Sequence, residues 1–326
     1  MLCIYNKSVN PQFNLAAEEY FIKQFEQDIF MLWRNSPSII VGKHQNTLAE
    51  INLEYVRENS IPVVRRLSGG GTVFHDLGNV NFTFIKKGKE GKLVDFKKYT
   101  EPIIDVLSAL DIEAKFEGRN DLTIGGKKFS GNAEHVWQNK VLHHGTLLFS
   151  ANISDLTKAL KVNPLKFTDK AVKSVRSRVT NISEHLKQDL SVTHFIELIM
   201  NHIRSSHSGT AHYEINELDQ QKIQQLVDEK YGKWEWNYGY SPKYNFRKNI
   251  QTSGGMIEIN MDVEQGMIKR VKIFGDYFHR LETEVIEKAL SGIAHEEESI
   301  LNVLQSYQLD DYFAGITMDE LMKGMF

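Results

Sequence analysis

The sequence predicts an α+β fold built on antiparallel sheet. Strand-like segments come in adjacent pairs joined by short turns, at Gly125–Gly126, near Asn139–Lys140 and at Gln265–Gly266. Amphipathic helices stand between groups of strands, so the regular βαβ alternation of a dinucleotide fold is missing. At 326 residues and 41% hydrophobic, the chain can bury a sizeable core and has room for two domains.

After a first strand, NPQFNLAAEEYFIKQF sets Phe13, Ala17, Tyr20, Phe21 and Phe25 on one face at helical spacing, with Asn10 and Pro11 as cap and first turn. IFMLWRN and SIIVGKH read as strands broken at Pro37, and a short helix follows around residues 52–58. VVRR and VNFTFI flank a glycine loop. FKKYTEPIIDVLSAL is an amphipathic helix turning Tyr99, Ile103, Val106, Leu107 and Leu110 inward, and the hairpins LTIGGKKF and AEHVWQNKVLHHGTLLF follow. Helices return at SDLTKAL, HFIELIMNHI and LDQQKIQQLVDEKY. YGYSPKYNF marks a boundary, giving expected domains at 1–246 and 247–326. The second holds the hairpin MIEINMDVEQGMIKRVKIFGDYF and the helices LETEVIEKAL and EESILNVLQSY.

A net charge of −3 supplies no basic field for sequence-independent nucleic-acid binding. The longest apolar stretches are strand-sized, against a membrane span, and MLCIYN lacks the pattern of a signal peptide. A single cysteine, Cys3, leaves no internal disulfide and no zinc–thiolate cluster. A cytoplasmic protein is expected.

Four segments carry candidate chemistry. In RRLSGGGTVFHDLGN, Gly69, Gly70 and Gly71 free the backbone to approach a ligand and form an anion-binding nest, and Arg65 and Arg66 add charge. An exposed glycine turn with two solvated arginines is the bland alternative. The loop is neither a Walker A motif nor G-x-G-x-x-G. In GRNDLTIGGKKFSGNA, Asn120 and Asp121 are oxygen donors suited to Mg²⁺, and strand alternation lets only one of Lys127 and Lys128 face the same ligand. In HHGTLLF, His143 and His144 point to opposite faces, so one at most touches ligand. DKAVKSVRSRVTN is either a mobile surface loop or a lid closing through Lys173 or Arg176. The remaining histidines lack zinc-ligand spacing.

Together with WEWNYGYSP, these segments resemble the lipoate–protein ligase family, in the family's order and over essentially the whole chain. The resemblance implies a biotin/lipoate ligase-like catalytic domain of mixed antiparallel sheet with flanking helices, followed by a small α+β accessory domain. It implies that lipoate's carboxylate attacks the α-phosphate of ATP, giving lipoyl-AMP and pyrophosphate. A lysine of an apo lipoyl domain then takes the lipoyl group; such carriers are E2 subunits of 2-oxoacid dehydrogenase complexes and the glycine-cleavage H protein. Octanoate is a possible second acid. Carried over residue by residue, Arg66, Ser68, Gly70, Gly71, Thr72, Val73 and Phe74 line lipoate and nucleotide, and Lys128 contacts the acyl carbonyl and the α-phosphate. Asn120 and Asp121 fall near metal and phosphates, Ser130 and His144 on pocket positions, and Asp169 to Arg176 on the loop that folds over the adenylate. His135 departs from members with arginine there, leaving that phosphate contact open.

The chemistry agrees. Negative charge builds on phosphate or carbonyl oxygens in both steps, and a fixed cation such as Lys128 stabilises it more than the ground state. Burying the acyl methylenes contributes about 5 kcal/mol, for which Val73, Phe74 and Leu147 are candidates. Two rival functions follow from the same motifs. An ATP-independent octanoyl or lipoyl transferase would use a catalytic-domain thiol, and Cys3 is far from the loop. A non-catalytic lipoate- or carrier-binding paralogue would have lost Lys128 or the glycines, which are present.

Overall fold

The computed structural model describes residues 1–45, 47–88, 95–160, 179–238, 246–264, 267–295 and 297–325. The Gln265–Gly266 turn, Arg176 and most of the basic segment, and most of the expected boundary lie outside these residues.

Eleven strands of the N-terminal part form two sheets. They are β1 (Leu2–Asn6), β2 (Ile29–Trp33), β3 (Ser38–Val41), β4 (Val63–Arg65), β5 (Val73–His75), β6 (Asn79–Lys87), β7 (Ala114–Glu117), β8 (Asp121–Ile124), β9 (Lys127–Trp137), β10 (Lys140–Leu148) and β11 (Ala211–His212). The large sheet runs β11-β1-β2-β6-β10-β9-β8-β7, parallel at the β1 end and antiparallel from β2 onward. A small sheet, β4-β3-β5, stands beside it. The mixed antiparallel character expected from the hairpins is present.

Both faces of the large sheet are covered, which is why β2 is apolar at every position and buried throughout. On one face Phe30, Phe82 and Phe84 meet the Phe96–Ala109 and Val192–Ser206 helices. On the other, Met31, Trp33 and Leu142 meet the Pro11–Gln24 helix through Ala17 and Phe21. That helix starts as its sequence predicts: the Asn10 side chain accepts from the Phe13 N–H at 3.0 Å, and Pro11 opens the first turn. Phe25 falls at its C-cap and is only partly buried.

The strands β12 (Phe246–Thr252), β13 (Gly255–Glu264) and β14 (Met267–Gly275) make a third, antiparallel sheet packed on the Glu284–Leu290, Glu297–Leu304 and Met318–Met325 helices. Neither β12 nor the last helix was expected. β12 is an edge strand with one fully buried position, Thr252, so its sequence lacks a clean alternation.

The two parts meet at a polar seam. The Arg119 guanidinium lies 4.3 Å from the Phe278 ring centroid and donates to the carbonyls of Gly254 and Asp276. His44 stacks on Tyr277 with centroids 4.8 Å apart, and Lys43 pairs with Glu282. Among the described residues no helix is long and apolar enough to cross a membrane.

Candidate active site

A cleft of about 660 Å³, counting its open mouth, lies between the Pro11–Gln24 helix, the β4–β5 loop and the strands β9 and β10. Its buried lining joins the apolar Leu15, Trp33 and Ile40 to the polar Arg66, His75, Asn81 and His144, and its more exposed lining includes Gly71, Thr72, Asn120 and Lys128.

Arg65 and Arg66 diverge because strand alternation sends them to opposite faces. Arg65 is fully buried. Its guanidinium donates to the carbonyls of Gly42, Lys43, Gln45, Trp236 and Asn237 and to the Thr47 hydroxyl, at 2.6–3.3 Å. Its backbone is tied to Asn237 Oδ1 and Trp236 Nε1. The alternative of Arg65 as a solvated charge is therefore excluded: it ties Gly42, Lys43, Gln45 and Thr47 to Trp236 and Asn237. Arg66 faces the cleft, but its donors serve the loop itself. Nε reaches Ser68 Oγ at 3.0 Å, and Nη2 reaches the Gly69 and Gly71 carbonyls at 2.5 and 2.8 Å. Burial pulls its pKa down to about 10, so it remains a cation at neutral pH.

The glycines have separate reasons. A Cβ on Gly69 would sit 2.2 Å from the Tyr277 carbonyl oxygen, so the bare backbone admits the C-terminal part. Gly70 has φ +85°, a conformation glycine adopts without strain. Gly71 has open space where a side chain would go, and that space is the cleft.

Behind the loop runs a buried chain of hydrogen bonds. Ser68 Oγ lies 2.6 Å from His144 Nε2, and His144 Nδ1 lies 2.9 Å from Glu18 Oε1, which also accepts from Thr83 Oγ1 at 2.6 Å. Thr83 Oγ1 in turn accepts from Trp33 Nε1 at 3.0 Å. With the ring proton on Nδ1 directed at Glu18, Nε2 accepts the Ser68 hydroxyl proton and Ser68 accepts from Arg66. The sequence resembles a nucleophile triad, but Ser68 is wholly buried and committed on both sides. Its geometry holds the loop in place. His144 is thus the histidine that reaches the cleft. His143 turns to the opposite face, 5.0 Å from the Tyr99 ring.

Lys128 Nζ lines the mouth and pairs with Asp121 Oδ1 at 2.7 Å, while Lys127 is exposed, as alternation requires. The Lys128 carbonyl accepts from the Thr180 N–H at 3.0 Å, so the chain leaving the basic segment is fastened at this lysine. Asn120 lines the cleft with its amide nitrogen donated to the Asn132 carbonyl. Among the described residues, no group of three or more histidine, cysteine or acidic side chains is arranged to hold a metal. Asp121 reaches the cleft through its ion pair with Lys128. A single carboxylate is a donor compatible with Mg²⁺, which keeps most of its shell as water.

Arg66, Gly70, Gly71, Thr72, Val73, Asn120, Lys128 and His144 come together as expected. Phe74 does not: alternation along β5 turns it into the small sheet's core with Ile39 and Val41. Leu147 likewise packs on the far face of the large sheet. Ser130 is buried beneath the wall, accepting from Asn132 Nδ2 at 3.2 Å. Arg176 lies outside the described residues. Cys3 is fully buried in the far core, where burial pushes its thiol pKa up. Unforeseen contributors are Glu18, Trp33, His75 and Gly145. Glu18 was visible as an acid on the apolar Leu15–Ile22 face of its helix, a polar interruption that requires a buried partner. Burial pushes His75 down to about 3, leaving it neutral.

The family model described as the lipoyl protein ligase A/B catalytic domain matches residues 10–204, and that of the bacterial lipoate protein ligase C-terminus matches 241–325. Lipoate-protein ligase LplJ of Bacillus subtilis is 43% identical over 327 residues, 99% of each chain. The crystal structure of LipL1 from P. falciparum in complex with lipoate superposes with a TM-score of 0.80 at 26% identity, over 99% of this chain and 97% of that one. A bi-partite lipoate protein ligase with its E2 lipoyl domain, from Thermoplasma acidophilum, gives 0.66 at 28% identity, over 75% and 98%. A lipoate-protein ligase A bound with ATP gives 0.64 at 25%, over 73% and 98%. With both family models matched in order and near-complete coverage of a relative at this identity, the chain belongs to the lipoate–protein ligase family.

Proposed function

We propose that this enzyme activates free lipoate with ATP and transfers the lipoyl group to a lysine of apo lipoyl domains. The observation that carries the reading is a cleft whose lining joins the buried apolar side chains Leu15, Trp33 and Ile40 to the part-exposed Lys128 and the Gly70–Thr72 backbone. An amphiphilic acid fits such a slot, tail inward and carboxylate at the mouth. The related structures bound with lipoate and with ATP support the two substrates, and the one with an E2 lipoyl domain supports the acceptor class.

In the first step a lipoate carboxylate oxygen bonds to the α-phosphorus of ATP while the α–β bridging bond breaks, releasing pyrophosphate. Asp121 would be the side chain to hold a Mg²⁺ ion, which would supply countercharge for the departing pyrophosphate. Lys128 supplies a cation to the oxygens that gain charge. Arg66 acts indirectly, by holding the Gly69 and Gly71 carbonyls so that the loop backbone keeps its shape. In the second step the carrier's ε-amine attacks the acyl carbon, AMP leaves, and the amine proton is lost to solvent. The basic segment that precedes Thr180 is proposed to close over the mixed anhydride and exclude water. The 2-oxoacid dehydrogenase E2 subunits and the glycine-cleavage H protein are the proposed carriers, in the cytoplasm. The buried Cys3 disfavours the thiol-dependent transferase.

The test is to incubate the protein with ATP, Mg²⁺, lipoate and a panel of apo carriers and to weigh the products. Mass gain that requires ATP supports the ligase. Gain without ATP supports the transferase, and no gain on any carrier supports the binder.

A further inference from the structure

Behind the β9–β10 wall lies a buried acid that no step above uses. Glu134 Oε1 is 2.8 Å from His143 Nδ1, and His143 Nε2 is 3.3 Å from Asn132 Oδ1. Glu134 is 3% exposed, His143 is fully buried and Asn132 is 3% exposed. Asn132 Nδ2 donates to the Asn120 carbonyl at 3.0 Å and to Ser130 Oγ at 3.2 Å. A carbonyl oxygen only accepts, so these bonds set which end of the Asn132 amide is nitrogen. Its Oδ1 must then face His143, and it too only accepts. His143 Nε2 therefore carries the hydrogen.

Burial holds His143 neutral, with His144 the charged-type neighbour that lowers it further. A neutral imidazole with its hydrogen on Nε2 has a bare lone pair at Nδ1. Only a donor can face that lone pair, and Glu134 is a donor only as a carboxylic acid. Among the described residues Glu134 Oε2 has no hydrogen-bond partner, an arrangement far costlier for a carboxylate than for an acid. Among the described residues the groups around the pair are Asp95, whose N–H reaches Glu134 Oε1 at 3.4 Å, Tyr99, His143 and His144, and none of these places a cation on Glu134. Burial raises its pKa to about 8; the Asp95 N–H opposes the rise and the Asp95 charge adds to it.

We infer that Glu134 is a protonated carboxylic acid that acts, through His143 and Asn132, as a positioning residue for the Asn120 side of the cleft. Ionisation removes the donor at Nδ1, the ring hydrogen moves to that nitrogen, and the bare Nε2 then opposes Asn132 Oδ1. Asn132 loses its fixed orientation, and with it the clasp on Asn120. The inference rests on the proposed ligase activity only for its kinetic consequence.

The experiment compares wild type with Glu134→Gln and Glu134→Ala. Glutamine keeps a donor toward Nδ1 that cannot ionise, giving up only the long bond from Asp95. Nitrogen-15 NMR of the histidine rings should show His143 neutral with hydrogen on Nε2 at pH 7 in wild type and E134Q, and hydrogen on Nδ1 in wild type at pH 9. Infrared spectroscopy should show a protonated-carboxyl band at pH 7 that is lost in E134Q. Lipoate-dependent pyrophosphate release should fall about ten-fold in wild type for each pH unit above about 8. Its profile should be flat in E134Q relative to that variant's own rate at pH 7. A charged His143, or hydrogen on Nδ1 at pH 7, would overturn the inference, as would an alkaline fall retained in E134Q. Absence of pyrophosphate release in wild type would sink the ligase reading instead, while the spectra would still decide the state of Glu134.

Discussion

Lys128 Nζ and the Asp121 carboxylate meet at 2.7 Å across the β8–β9 hairpin, with each side chain about two-fifths exposed. A pair this open contributes about 0–1 kcal/mol to stability. The lysine is therefore held at the mouth of the cleft without being essential to the fold.

Lys128→Ala should separate chemistry from stability. Loss of a group that stabilises developing charge costs about 3–4 kcal/mol, a drop of roughly 10²–10³ in rate. Lipoate-dependent pyrophosphate release should fall by that factor while the melting temperature moves by no more than about 2–4 °C. Release at the wild-type rate would remove Lys128 from the reaction.

Asp121→Asn tests the metal. If Asp121 contributes a Mg²⁺ ligand, the Mg²⁺ concentration for half-maximal rate should rise several-fold with little change at saturation. If it only holds Lys128, the Mg²⁺ titration should keep its midpoint and the maximal rate alone should change.

Arg65→Lys should damage folding instead of catalysis. The guanidinium serves the Gly42, Lys43 and Gln45 carbonyls and the Trp236 and Asn237 carbonyls at once, and an ammonium cannot reach both groups. Buried acceptors left unsatisfied cost about 1–3 kcal/mol each. The expected result is loss of a cooperative thermal transition, or a melting temperature lowered by well over 5 °C.

These cases show which parts of the site could be read from the chain. Lys128 was legible because alternation and a two-glycine hairpin decide the direction of its side chain locally. Arg65 and Phe74 were not, since their partners come from Gly42–Gln45, Trp236 and the small sheet, which only the tertiary arrangement brings near. The hairpins and amphipathic helices were visible for the same local reason, whereas β12 follows from packing against β13. The choice between His143 and His144 was open because both faces of β10 are covered, so hydropathy does not tell them apart.

Gly69 and Gly71 should answer alanine differently although they share one motif. At Gly69 the new Cβ meets the Tyr277 carbonyl at 2.2 Å, so the C-terminal part must shift. Lower thermal stability and faster proteolysis in the C-terminal part are expected. At Gly71 the Cβ enters open cleft, so stability should hold while KM for lipoate or ATP rises. Equal thermal losses in both variants would contradict this division.

The dependence of stability on pH should be bell-shaped, with its two sides caused by different groups. His44, His135 and His279 cluster at the seam, with the His44 and His279 centroids 4.1 Å apart, and burial lowers all three pKa values, that of His279 to about 3. An unfolded histidine takes up its proton near pH 6.5, whereas the folded one resists. Their stabilisation is therefore full above that pH and is lost as pH falls toward the folded values, by up to about 1.4 kcal/mol per pH unit for each histidine. Glu134 has the opposite sign. Its folded pKa of about 8 stands above the ordinary carboxylate value, so stability is lost as pH rises from about 4.3 through 8. Between about 4.3 and 6.5 these histidines, joined by the likewise lowered His75 and His143, outweigh the raised acids Glu134 and Glu287; above about 6.5 the acids act without them. Calorimetry from pH 5 to 9 should find the highest melting temperature near pH 6.5. His279→Phe should weaken the acid side, and Glu134→Gln should remove much of the alkaline side. A melting temperature that climbs steadily to pH 9 in wild type would contradict both assignments.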